Sequence, residues 1–129
     1  MKHINKFSVL SNFFYFAPIY FSFLLGMYVT ALLFILLFVS STLFHIYKNR
    51  FWSVIDSGIS YIVILQSLFL LATSSFSYLN SMALMVVISC ALFIRYREED
   101  KTRDDFWHGL WHIAVSIALI MIVLLHGVI

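Results

Sequence analysis

Charge is what this sequence has least of: 11% of its 129 residues are Asp, Glu, Lys or Arg, against roughly a quarter in an average soluble domain. So few ionised groups cannot solvate a water-exposed surface. A single cysteine excludes a disulfide scaffold and a Cys-based zinc ribbon. One proline and four glycines exclude a collagen-like repeat. Cys90 lies in an apolar run and reads as a small packing residue. What fills the chain instead is hydrophobic, 63% of all residues, with a mean hydropathy of +0.99. The net charge of +2 does not mark a nucleic-acid binder, because the bases form no single solvated face. They sit at the ends of apolar runs.

A membrane helix needs about 20 mostly apolar residues to cross a hydrocarbon core roughly 30 Å thick. Five stretches qualify, 8–25, 27–47, 52–73, 78–94 and 106–129, which predicts an all-α transmembrane bundle forming one domain over residues 1–129. The first two stretches are nearly continuous and are interrupted only by Pro18 and Gly26, so a tight turn is expected near Gly26.

The eight bases orient this bundle. Lys2 and Lys6 precede the first span, Lys48 and Arg50 separate the second from the third, and Arg95, Arg97, Lys101 and Arg103 separate the fourth from the fifth. With five spans all of them fall on one side, and the turns on the other side, near Gly26 and at 74–77, carry no charge. The positive-inside rule then places the N-terminus in the cytoplasm and the C-terminus outside. Lys2 and Lys6 ahead of an apolar run could open a signal peptide, but no Ala-x-Ala site follows, and the run is read as the first helix. The lack of a cleavable presequence points to a bacterial inner membrane. Trp52 and Trp107 open spans beside the basic loops, where indoles prefer the headgroup level. The charged run 95–105 reads as a solvated connector, with Asp104 and Asp105 suited to cap the following helix.

What remains is a short set of ionisable groups inside spans. Asp56 lies several residues into the third span, where a carboxylate costs about 2.5–3.5 kcal/mol unless it meets a partner or water. His45 is near the inner end of the second span, with Ser41 four residues before it on the same helical face. His108 and His112 are four apart near the start of the last span, so their rings point one way. At 1.5 Å per residue, His45 lies roughly 5 Å in from Lys48 and Asp56 roughly 8–9 Å in from Arg50. All four therefore share one layer beneath the cytoplasmic surface. Three imidazoles from two helices at common depth match three-ligand zinc coordination with an open fourth position. Asp56 could then hydrogen-bond the water placed there. A lone interfacial histidine is usually only an amphipathic side chain, and His3 and His126 are read that way. Gln66 and Asn80 are read as interhelical hydrogen-bonders, and Ser57, Gly58 and Ser60 as small residues permitting close helix approach.

The ordered set Ser41-x3-His45, Asp56 at the start of the next helix, and His108-x3-His112 opening the last resembles the signature of the CREST superfamily. That group of membrane proteins includes alkaline ceramidases, progestin and adiponectin receptors, hemolysin III-like proteins and the myomaker group. SSTLFH is similar to the Ser-x3-His end of the second helix, HGLWHI to the start of the last, and the step from His45 to Asp56 to the ceramidase spacing. The resemblance covers the second, third and last spans. It implies a zinc ion held by His45, His108 and His112, with Asp56 on the zinc-bound water and Ser41 beside it; in the ceramidase branch that water attacks a lipid amide. The family has seven helices, and this chain has only one between the Asp56 helix and the last where three would be expected, so the substrate binding that the resemblance implies is altered, completed by a homo-oligomer, or absent. No acidic N-terminal cluster for a second metal is present.

Three functions from different classes follow. The first is a zinc-dependent hydrolase of a membrane-lipid amide or ester, in which Asp56 accepts a proton and Ser41 stabilises the oxyanion. The second is a non-catalytic receptor or membrane-remodelling protein in which zinc is a structural staple. The third is haem binding by His45 with His108 or His112, which the i, i+4 pair on one face fits less well.

Overall fold

A computed structural model of the chain describes residues 6–74, 78–100 and 105–127, and every regular element among them is helical. Lys2, His3, Lys101, Arg103 and Asp104 lie outside the described residues, as do residues 75–77 of the expected turn and the side chain of Asp105. The first span is a rod in three parts: α1 (Lys6–Ser11), a 3-10 turn (Asn12–Tyr15) and α2 (Phe16–Leu24). Pro18 explains the tightening. Its ring crowds the carbonyl four residues upstream, that of Phe14, which lies inside the 3-10 turn.

The rod ends at the expected turn. Gly26 takes φ +70°, a conformation costly for any residue with a Cβ. The Met27 amide donates to the Ser22 carbonyl (2.8 Å) and the Gly26 amide to Phe23 (3.1 Å), the paired bonds of a Schellman stop. α3 (Tyr28–Tyr47) then runs back, and α4 (Arg50–Ala72) follows after only two residues. Lys48 adopts the left-handed conformation (φ 49°) and Asn49 caps α4, its Oδ1 accepting from the Trp52 amide at 2.9 Å. So short a turn sets the register of the pair. Ser40 and Asp56 lie equally far along the chain from Lys48 and are hydrogen-bonded; so do Thr30 and Gln66, whose Nε2 donates to the threonine hydroxyl at 2.8 Å.

α5 (Tyr78–Asp100) and α6 (Asp105–Gly127) complete the bundle. Four stretches are long and apolar enough to cross a membrane: Lys6–Leu24, Tyr28–Tyr47, Arg50–Ala72 and Phe106–Gly127. The fourth expected span is the exception. Its apolar part, Asn80–Ile94, is about 22 Å long, short of the roughly 30 Å core. Contacts between chain ends nevertheless require α5 to run the length of the bundle. His45, ending α3, touches His108, opening α6, while at the other end Ser74, just past α4, meets His126 near the end of α6 (Oγ to Nδ1, 3.1 Å). The chain has to return from the second end to the first between Ser74 and Asp105. The 23 residues of α5, about 34 Å of helix, make that return, packed on α6.

Tyr15, Ile19, Phe34, Leu37, Val63, Leu119 and Val123 form the core where the first rod, α3, α4 and α6 meet. A smaller cluster of Leu70, Leu84 and Ile122 joins α4, α5 and α6. Large apolar side chains also cover the outside, among them Phe13, Tyr20, Leu32, Leu65, Phe69 and Phe93. That exterior suits lipid. In hydrocarbon, apolar burial gives little net attraction between helices, so close packing and polar cross-links hold them. Of the three residues expected to permit close approach on α4, Ser57 and Gly58 face outward, and a Cβ on Gly58 would meet nothing within 4 Å, whereas Ser60 is half-buried. The position of the first two on the outer face of α4, away from α3, is the reason. Close approach occurs instead at Gly109, where a Cβ would collide with the Phe7 ring. Cys90, expected to pack inside, is exposed on α5.

Candidate metal centre

The centre forms where the last turn of α3 meets the first turns of α6. His45 projects from the end of α3, and His108 and His112, one turn apart, present their rings from one face of α6. One nitrogen from each ring falls in a set whose members all lie within 4.8 Å of one another. His45 Nε2 and His108 Nε2 are 3.0 Å apart. Two nitrogens of a tetrahedral zinc site with Zn–N of 2.0–2.1 Å stand about 3.3 Å apart, so this pair is already close to ligand spacing. Ring centroids are separated by 4.6 Å (His45–His108), 5.1 Å (His45–His112) and 4.6 Å (His108–His112), at mutual angles of 68°, 66° and 77°. The rings thus converge like blades on a common point. His45 and His112 are buried, at 4% and 3% exposure, and His108 is half-buried, so the group opens on the His108 side.

The first rod sets the state of His112. Its Nδ1 lies 3.0 Å from the Ser11 hydroxyl and 3.2 Å from the Ser8 carbonyl. Ser11 gives its own proton to that carbonyl (2.9 Å). Both groups facing Nδ1 are therefore acceptors, and the ring nitrogen donates. That tautomer leaves Nε2 with its lone pair available, the arrangement by which an outer acceptor orients a metal-binding imidazole. One nitrogen from each of the three histidines, with the His112 ring so oriented, could hold a metal ion.

Asp56 is half-buried on α4, and the Ser40 hydroxyl donates to its Oδ1 at 3.0 Å. Its carboxylate lies within electrostatic range of His108 and of Tyr15. Ser60 donates to its backbone carbonyl. The serine beside the carboxylate is therefore Ser40, not Ser41. Ser41 turns the other way and donates to the Asn12 Oδ1 (3.2 Å), while Asn12 Nδ2 donates to Thr42 (3.2 Å). The α-helical turn of about 100° per residue separates the two adjacent serines: one faces α4 and the other faces the first rod. His126 pairs with Ser74 at the far end, away from the cluster.

Reading the residues in order missed Ser8, Ser11, Asn12, Tyr15 and Ser40. A signal was present. Ser8, Ser11, Asn12 and Tyr15 recur at i, i+3, i+4 and i+7, one polar stripe inside an otherwise apolar span, and all four are buried. No protein-family model, curated protein or solved structure matches the chain.

Proposed function

We propose that this chain is a zinc-dependent membrane hydrolase acting on a lipid amide or ester. The observation that carries the reading is the convergence of one nitrogen each from His45, His108 and His112 within 4.8 Å, with the tautomer of His112 set by the first rod. Three histidines with an open side match catalytic rather than closed structural zinc sites. A zinc ion there supplies a Lewis acid for the carbonyl and acidifies a water. Asp56 accepts the proton of the attacking water, and Ser40 holds the carboxylate in line by its hydrogen bond. Ser41 acts from behind, fixing Asn12 and through it the seat of the first rod against α3. The resemblance to the CREST superfamily supports the same assignment of His45, Asp56, His108 and His112.

The centre lies at the end of the bundle that carries Lys6, Lys48 and Arg50. Under the positive-inside rule this end is cytoplasmic and all five helices cross the membrane. The substrate is then a lipid of the inner leaflet. Haem fits less well, because axial ligation needs two nitrogens on opposite faces of a macrocycle, and three nitrogens this close leave no slot for one.

The test is elemental analysis of the purified protein beside His45→Ala and His112→Ala, together with fatty-acid release from ceramides and related lipids. The expected result is about one zinc per wild-type chain, with metal and hydrolysis lost together in both variants. Unchanged zinc content in both would overturn the reading, and a strong Soret band would replace zinc with haem.

A further inference from the structure

The hydroxyl protons around the histidines are almost all engaged. Ser11 donates to the Ser8 carbonyl, Ser40 to Asp56, Ser41 to the Asn12 amide oxygen, and Ser116 to the His112 carbonyl. None of these has a proton to offer a ligand without breaking an existing bond. Tyr15 differs. It ends the 3-10 turn, one eclipsed step from Asn12, so that both face the bundle interior. Its side chain is 3% exposed, and its ring stands 5.9 Å from that of His112, tilted by 50°. Its phenol makes no hydrogen bond among the described residues. Its oxygen is not among the fully buried atoms left without a partner, so the phenol keeps access to open space, and it lies within electrostatic range of Asp56. In a layer already holding three imidazoles and a carboxylate, the missing partner is most simply a ligand oxygen.

We propose that Tyr15 is a catalytic residue of this centre, its phenol donating a hydrogen bond to the carbonyl oxygen of the bound lipid and holding that oxygen as negative charge develops on it. This rests on the hydrolase reading and deepens it. A preorganised donor aimed at an oxyanion acts most strongly where water is excluded, and Tyr15 sits in the core cluster with Ile19, Phe34 and Val123. For an amide, the water oxygen bonds to the acyl carbon while its proton passes to Asp56. The carbon–nitrogen bond then breaks as Asp56 returns that proton to the amine nitrogen. The phenol keeps its own proton throughout. Tyr15 thus takes the role that the sequence pattern assigned to Ser41, whose proton is held by Asn12.

The test uses the full chain in detergent with cobalt in place of zinc, since the visible spectrum of cobalt reports the ligand set and its response to an added carboxylate. Dodecanoate serves as the probe, a fatty-acid product whose carboxylate offers the oxygen Tyr15 would bind. Tyr15→Phe is expected to keep the wild-type metal content, unliganded cobalt spectrum and thermal stability, yet to bind dodecanoate about tenfold more weakly or worse. Incorporation of 3-fluorotyrosine at position 15, which keeps the hydroxyl and makes it a stronger donor, is expected to bind at least as tightly as wild type. Equal dodecanoate affinity in Tyr15→Phe and wild type overturns the role of the phenol and leaves the metal centre standing. Loss of metal in Tyr15→Phe overturns it too, by showing a structural role. A wild-type protein that takes up no metal removes the centre itself, and the phenol's role with it.

Discussion

Ser11 offers the sharpest perturbation of the centre, because it touches His112 without being able to bind a metal through a ring nitrogen. In the wild type, His112 Nδ1 faces two acceptors, the Ser11 hydroxyl at 3.0 Å and the Ser8 carbonyl at 3.2 Å. Ser11→Ala deletes the nearer one and also frees the carbonyl from the bond that Ser11 donates to it at 2.9 Å. Losing an outer acceptor of a metal-binding histidine typically weakens metal affinity 10–100-fold. One acceptor survives here, so the low end applies: about tenfold, or about 1.4 kcal/mol. Competition for zinc between the detergent-solubilised protein and a chromophoric chelator measures it. Ser22→Ala is the matched control. Ser22 lies on the same rod, is equally buried and donates to the Pro18 carbonyl at 2.7 Å, so its loss is expected to leave zinc affinity unchanged. Wild-type affinity in Ser11→Ala would refute the reasoning. An equal loss in Ser22→Ala would refute it as well, by tracing the effect to packing of the rod.

Asp56→Asn is expected to retain zinc while hydrolysis falls about 10²- to 10⁴-fold, the usual contribution of a positioned base; an unaltered rate in single-turnover assays would favour a structural role for the metal. Ser40→Ala is expected to lower kcat/KM more than Ser41→Ala, since only Ser40 donates to the Asp56 carboxylate; the reverse order would restore Ser41 as the serine of the reaction. Asn12→Leu leaves the Ser41 proton and the Thr42 oxygen without their partner, and a loss of about 1–2 kcal/mol of unfolding free energy is expected in a detergent titration. A neutral result there would mean that neighbouring groups reclaim both hydrogen bonds.

Much of this molecule could be read from residue order alone. Twenty-residue apolar runs announce helices in lipid because no other open structure satisfies its own backbone there. Gly26 announced its turn, because a helix stop of that form wants a residue at ease with positive φ. His108 and His112 were bound to share a face, since four residues make slightly more than one helical turn. Their meeting with His45 could only be expected, and depended on depth along two separate helices.

Residue order was silent wherever a rotation about a helix axis, rather than a position along it, chose the partner. Ser40 and Ser41 are chemically identical neighbours, and it is the packing of α3 between α4 and the first rod that hands one to Asp56 and the other to Asn12. Gly58 and Cys90 face outward for the same reason, although composition around them suggested an interior. The stripe Ser8, Ser11, Asn12 and Tyr15 became part of the centre only through the seating of the first rod against α3 and α6. Spacing along a chain sets which side chains share a face, since that is local geometry. Which face meets which is settled by the sum of many weak contacts among all the helices at once, and no single segment carries that sum.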